Sequence, residues 1–233
     1  MQIVEANDAG VRVAELVLKR RGTPLQFVVY PMLHVGSRDF FHEVMRRLAG
    51  ADVVVIEGVG PSRAAATLTR SYRAMADDLR LRLVVQNIDY RSLPGEVFCP
   101  DMPAEEFQAR WQQIPRWQRV ATVGMVGSLT AIQRVFGSRW LQLLLEDSSL
   151  EDLPSNEELL QPQLLPEVEK LLVDERDQRL VAALDDLHQR RATEPLTVAV
   201  VYGAAHVRAV VTGLWRHGYR VHAGDWLTAM TFD

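Results

Sequence analysis

The sequence predicts an α/β protein, a mixed central sheet of strand–helix units interrupted by a large helical insertion. Three observations predict it. Apolar strand-like runs alternate with helix-periodic segments through the first hundred residues. Strand character then disappears over residues 103–191. It returns after residue 192 as one further strand–helix–strand unit. The expected organisation is one composite domain: residues 1–102 form the first part of the core, 103–191 a helical insertion or cap, and 192–233 the rest of the core.

Each element has its own signal. Residues 11–18, VRVAELVL, are β-branched and roughly alternating, so they read as a strand. Residues 20–24 form a turn, and LQFVVYPML (25–33) is a fully apolar strand that completes an opening hairpin. Pro31 cannot donate to a ladder, so that strand is expected to end or bulge there. Ser37 is placed to cap a helix to about Leu48, with Phe40, Phe41, Val44, Met45 and Leu48 at helical spacing. DVVVI (52–56) reads as a buried parallel strand ending at Glu57, and Pro61 suits the first turn of a helix to about Leu79. RLVVQN (82–87) is the next strand.

In the insertion, AEEFQARWQQ, the 116–145 segment, SNEELLQPQLL and PEVEKLLVDERDQRLVAALDDLHQRR all read as helical. The 116–145 segment is expected to be a buried helical hairpin, and the acidic run at 146–152 a solvated turn. LTVAVVY (196–202) is again a strand, followed by a helix from about Ala205 to His217, Gly218, and a last strand YRVHA.

The chain has 233 residues, 48% of them hydrophobic, with net charge -4, so no basic bias argues for nucleic acid. A single cysteine, Cys99, cannot form an intrachain disulfide and fits a reducing, cytoplasmic setting. The start MQIVEANDAG lacks the features of a signal peptide. The apolar window 120–145 is broken by Gln133, Arg134, Arg139 and Gln142, so a membrane span is not expected.

Ligands of open α/β sheets sit beyond the carboxyl ends of strands. His34 follows LQFVVYPML, Glu57 follows DVVVI and His206 follows LTVAVVY. If those strands are neighbours, the three side chains converge, and two histidines with a carboxylate are a metal-ligand set. Taken singly, each is by default a structural histidine or a helix-terminus carboxylate. Separate loops carry no local signature, so both readings stay open. Gly203 is expected to permit a positive φ and a close approach.

Other residues carry blander expectations. Asp101 reads as a cap for the helix carrying Glu105 and Glu106, and Arg176 as part of a salt-bridged helix face. His42, His188, His217 and His222 read as solvated, Cys99 lacks a partner, and Gly124 and Gly127 read as packing glycines between helices.

These residues together resemble the TraB/Tiki superfamily, which is grouped with erythromycin-esterase-like and haem-binding ChaN-like proteins. GAAH (203–206) matches the second of that group's GxxH motifs, and VVVIEGV carries Glu57 at its acidic strand end. DERD (174–177) is similar to the ERD segment before the last motif, and EVFCPDMPAEEF to the stretch with an aspartate before a helix, here Asp101. The first motif departs from the pattern: PMLH keeps His34 but has Pro31 where the family has glycine. The resemblance covers about residues 25–224.

It implies a divalent metal (Mn, Co or Zn) on His34, Glu57 and His206, with Asp101 and Arg176 nearby. It also implies hydrolysis of a peptide or ester bond in a peptide or small-molecule substrate. Glu57 would serve as ligand or base, Arg176 would stabilise an oxyanion, and Tyr202 or Tyr30 would supply a further donor. A homodimer through the insertion is a further expectation. The rival readings are a metal-free His/Glu esterase and a non-catalytic protein that holds haem, another ligand or a partner.

Overall fold

The computed structural model describes residues 2–7, 9–70, 73, 76, 82–136 and 165–231. Its chain order is β1 (Val4–Asn7), β2 (Gly10–Lys19), β3 (Gln26–Met32), β4 (Val35–Ser37), α1 (Arg38–Leu48), β5 (Val53–Ile56), α2 (Arg63–Leu68), β6 (Leu83–Val85) and β7 (Glu96–Phe98). After these come α3 (Ala104–Gln113), α4 (Arg116–Phe136), α5 (Pro166–Glu169), a π-helical turn (Lys170–Asp174) and α6 (Glu175–Arg191). The chain closes with β8 (Thr197–Gly203), a 3-10 turn (Ala204–His206), α7 (Val207–Arg216) and β9 (Arg220–Thr231).

Seven strands form one mixed sheet. β2 pairs antiparallel with β9 along one edge, and with β1 and then β3 along the other. From β3 onward the order is β3–β8–β5–β7, all parallel. β8, the last of these four in sequence, inserts between β3 and β5, so the carboxyl ends of those three strands lie side by side. This is the condition on which convergence of His34, Glu57 and His206 depended.

Both faces of the parallel strands are covered, which is why these runs are continuously apolar rather than alternating. Val28, Tyr30, Met32, Val54, Ala199 and Val201 pack on one side with Phe40, Phe41, Val44 and Leu48 of α1. Phe27, Val29, Val53, Val55, Val198, Val200 and Tyr202 pack on the other with α6 and α7. A third cluster joins Ala64, Met102, Phe107, Trp111, Ile114, Val168 and Leu171, and this is the core of the described part of the insertion.

Several expectations are corrected. Pro31 neither ends nor bulges β3: it pairs with Tyr202, and the strand runs on to Met32. The β2 pairing stops at Val29, so Pro31 interrupts no ladder on that side. The 82–87 strand shortens to Leu83–Val85: Arg82, at a φ of 48°, stands outside it, and the strand's pairing with β4 in a separate small sheet spans these three residues. β1, β4 and β7 were missed; at three or four residues each they offer little periodicity to read. Ser62 rather than Pro61 begins α2, its Oγ accepting from Ala65 N at 3.1 Å. Ser37 does cap α1, with Oγ accepting from Phe40 N at 3.1 Å.

α4 turns its polar residues inward. Gln118 and Thr122 are buried, and Gln118 Oε1 accepts from Glu167 N at 3.2 Å. Trp117 and Val120 face outward, 63% and 71% exposed. A Cβ on Gly124 would meet nothing within 4 Å among the described residues, so the helix partner expected there lies outside them. Much of the expected hairpin and the whole acidic run lie outside the described residues. Among the described residues no helix is long and apolar enough to cross a membrane.

Candidate functional site

The three strand ends carry their polar residues to one edge of the sheet. Glu57 N donates to Val201 O at 3.1 Å, which extends the β5–β8 ladder by one residue and fixes where the side chain leaves the strand. Its carboxylate then reaches across β8, and Oε2 accepts from Gly203 N at 2.6 Å. A Cβ at Gly203 would lie 3.1 Å from that same oxygen. The glycine therefore serves close approach. Its φ of -50° is one any residue adopts, which corrects the expected positive φ. Gly203→Ala is expected to cost about 1–3 kcal/mol, since Glu57 has no room to retreat. Urea unfolding checks this; a midpoint unchanged or raised would contradict it.

Glu57 is the middle of a buried polar chain. Its Oε1 accepts from Arg176 Nη2 at 2.5 Å. Arg176 also grips Asp101 with two bonds, Nε to Oδ1 at 2.9 Å and Nη2 to Oδ2 at 2.6 Å, and Nη1 donates to Leu172 O at 3.2 Å. Asp101 is not a helix cap: α3 begins after Pro103 without a side-chain cap, while Asp101 accepts from Gly58 N at 3.0 Å and Met102 N at 2.7 Å. Arg176 is not on a solvated face either; residue and partner are both buried, each 8% exposed.

His206 closes the chain on the other side. Its Nδ1 lies 2.7 Å from Asp177 Oδ1, so Nε2 is the nitrogen turned to Glu57, 3.6 Å from Oε1. That separation is too long for a hydrogen bond but well within charge reach. The ring of Tyr202 stands edge-on to His206, centroids 5.6 Å apart, and its buried hydroxyl has no hydrogen-bond partner among the described residues.

The charges are mutually set. Burial pushes Glu57 up, but His206 and Arg176 overcome it and hold the carboxyl well below its usual range. Burial works against a charged His206, yet Asp177 and Glu57 raise it to about 9. Arg176 is likewise held protonated against burial by Asp101 and Glu57. At neutral pH the resting site is therefore an imidazolium and a guanidinium among three carboxylates. Burial first, with Asp101, Cys99 and Glu57 adding to it, keeps Tyr202 protonated.

Of the residues expected at the site, Glu57, Asp101, Arg176 and His206 form one contiguous network and Tyr202 borders it. His34 lies half-buried between β3 and β4, its carbonyl accepting from Gln86 N at 2.9 Å, near enough to Glu57 to act on it electrostatically. Tyr30 belongs elsewhere: it packs in the α1-side core, and its hydroxyl is bonded to Glu15. Cys99 Sγ donates to Gly58 O at 3.3 Å, and burial pushes the thiol up, which argues against a nucleophile.

Two participants were missed by sequence reasoning. Asp177 follows Arg176 directly, and on a helix the two point about 100° apart, one toward Glu57 and one toward His206. That spacing in DERD was the available signal. Tyr90, whose hydroxyl accepts from Gln86 Nε2 at 3.2 Å, is pushed up to about 12 by burial, with Glu57 adding to it. No sequence pattern marks it.

A divalent ion is the group the resemblance implies. Nε2 of His206 and Oε1 of Glu57 are spaced as two ligands of one ion would be, given bonds of roughly 2.0–2.2 Å. Asp177 would orient the imidazole from behind. Among the described residues, however, no group of three or more His, Cys, Asp or Glu side chains is arranged to hold an ion, so the fit extends to a pair and not to the triad. No protein-family model, no curated protein and no solved structure matches this chain.

Proposed function

We propose that this chain is a TraB/Tiki-like hydrolase of peptide or ester bonds, with His206 and Glu57 as its reacting pair. The observation that carries the reading is the hydrogen-bonded chain Asp177–His206, then Glu57–Arg176–Asp101, at the carboxyl ends of adjacent parallel strands. Perturbed titratable groups gathered at such an edge are where acid–base chemistry is placed.

The residues divide the work. Asp177 holds Nδ1, so the mobile proton of His206 sits on Nε2, facing Glu57 Oε1. With His206 raised to about 9, the imidazolium is a proton donor at neutral pH, suited to protonating a leaving amine or alcohol. Glu57 is held ionised and accepts a hydrogen bond from the attacking water. Arg176 has four of its five N–H groups engaged by Asp101, Glu57 and Leu172 O. It is a positioning residue for Glu57 rather than an oxyanion donor. The protonated Tyr202 hydroxyl, without an acceptor among the described residues, suits that second role better.

The 3.6 Å between His206 Nε2 and Glu57 Oε1 favours a second reading, in which these two atoms hold a Mn, Co or Zn ion. Such an ion would acidify water and polarise the scissile carbonyl. Peptide and ester substrate panels with exhaustively chelated protein, then with each metal added back, separate the two. The first reading expects turnover without metal, level at neutral pH and falling as pH rises through about 9, where His206 loses its proton. Turnover only after add-back selects the second reading, and no turnover on any substrate with or without metal overturns both.

A further inference from the structure

Far from the site, α6 and α7 meet in a second histidine cluster. The two helices run in the same direction: α6 leaves the site from Arg176 and Asp177, and α7 leaves it just after His206. They approach closely at Gly213, where an added Cβ would lie 2.9 Å from Val181. A His–Asp pair ties them at each end, Asp177–His206 at the site and Asp185–His217 at the foot, both at 2.7 Å.

The foot holds one more histidine, contrary to the expectation of a solvated residue. His188, 9% exposed, lies in the last turn of α6. Arg20, beyond the end of β2, places Nη1 at 2.9 Å from His188 Nε2. A guanidinium only donates, so Nε2 must carry a lone pair and the ring must be neutral. The proton is then on Nδ1, which faces Tyr219 Oη at 3.1 Å. The His217 ring, at the C-cap of α7, stands with its centroid 4.7 Å away, and Asp185 faces the cluster from α6 itself.

These groups cover each element packed against His188: Arg20 from the β2–β3 turn, Tyr219 from the start of β9, His217 from α7 and Asp185 from α6. Two of them, Arg20 and His217, oppose a positive ring. Burial lowers His188 first, and His217 and Arg20 lower it further, against Asp185.

We propose that Arg20, His188, Tyr219 and His217 form a pH-sensitive latch that joins the feet of α6 and α7 to the β2–β3 turn and releases them on acidification. Protonating His188 removes the lone pair that Arg20 needs and sets two cations 2.9 Å apart. Because the neutral form is the folded form, the latch contributes its full stability above about pH 6.5, the unfolded value, and loses it as pH falls below that. His206 and Glu57, the shifted groups of the site with unfolded values nearest this window, stay out of it. His206 is charged in both states below about pH 6.5, and Glu57 is ionised in both above about pH 5. The latch does not rest on the hydrolase reading.

His188→Gln is the test variant, because a glutamine amide can accept from Arg20 and donate to Tyr219 while never charging. Thermal unfolding of the full chain from pH 7 to pH 5 should lower the wild-type midpoint more than that of the variant. Over the same range hydrogen exchange at Gly218 and Tyr219, whose N–H groups bond Trp215 O and Leu214 O, should speed up in the wild type alone once intrinsic rates are divided out. The wild-type ring itself gives an answer that does not depend on the variant folding: His188 should titrate below an unstructured histidine, and Arg20→Gln should raise its midpoint. A ring that titrates at or above 6.5, or wild type and H188Q declining in parallel, overturns the latch.

Discussion

Arg176→Met is expected to cost about 3–5 kcal/mol, because it strips the buried Asp101 carboxylate of its guanidinium and leaves Glu57 with His206 as its one facing cation, 3.6 Å away. The Asp101 side chain is wholly inaccessible and that of Glu57 only 14% exposed, so neither can turn to water. The intact trio is not thereby a large net source of stability: desolvating three charges offsets much of their attraction, and the loss arises from the imbalance that truncation creates. The same logic gives the control. Combining Arg176→Met with Asp101→Asn and Glu57→Gln removes both carboxylate charges and should recover part of the loss, so the triple variant is more stable than R176M alone. For a chain of this length the single change should lower the melting temperature by roughly 2–4 °C per kcal/mol. An R176M protein within about 1 kcal/mol of wild type, or a triple variant no better than the single, would show that the buried network is not as tightly closed as its distances imply.

The parts of this molecule that were legible in the sequence are those in which one residue's neighbours along the chain also determine its surroundings. β5 and β8 could be read because both faces are covered and the runs VVVI and, after Thr197, VAVVY are continuous without charged residues. α1 could be read because Ser37 and the spacing of Phe40, Phe41, Val44 and Leu48 agree. His34, Glu57 and His206 could be nominated because each follows such a strand. What could not be read is pairing across sequence distance. Nothing local to Asp101 says that Arg176, 75 residues away, will straddle it, so a cap was the better local guess. Nothing local to His188 says that Arg20, 168 residues away, will fill its lone pair, so a solvated histidine was expected. α4 misleads for a related reason: its apolar residues predict an inward face, but Gln118 turns inward to satisfy the start of α5. In each case the deciding partner arrives through topology, from an element distant in sequence.

His206 yields the second large effect, because its buried ring ties stability and the proposed chemistry to one proton. Its folded value is raised to about 9, against about 6.5 for an unfolded histidine. Below about pH 6.5 it is charged in both states and its contribution is fully present. As pH climbs from there through about 9, the folded protein keeps a proton that the unfolded chain has released, and the contribution, of the order of 3 kcal/mol, is lost. Wild-type unfolding free energy should therefore decline between pH 6.5 and pH 9, the opposite slope to that of the His188 latch and in a separate window. His206→Gln cannot carry the charge, so it should be less stable than wild type at pH 6.5, with the gap closing toward pH 9. The same variant keeps a donor beside Asp177 or Glu57 but has no transferable proton, and should lose about 10²–10⁴-fold in turnover on any substrate the wild type hydrolyses. Urea titrations at three pH values and a rate assay on the same preparations check both. Parallel stability curves would mean that Asp177 and Glu57 do not hold His206 charged, whereas altered curves with undiminished turnover would leave His206 a structural ion and remove it from the reaction.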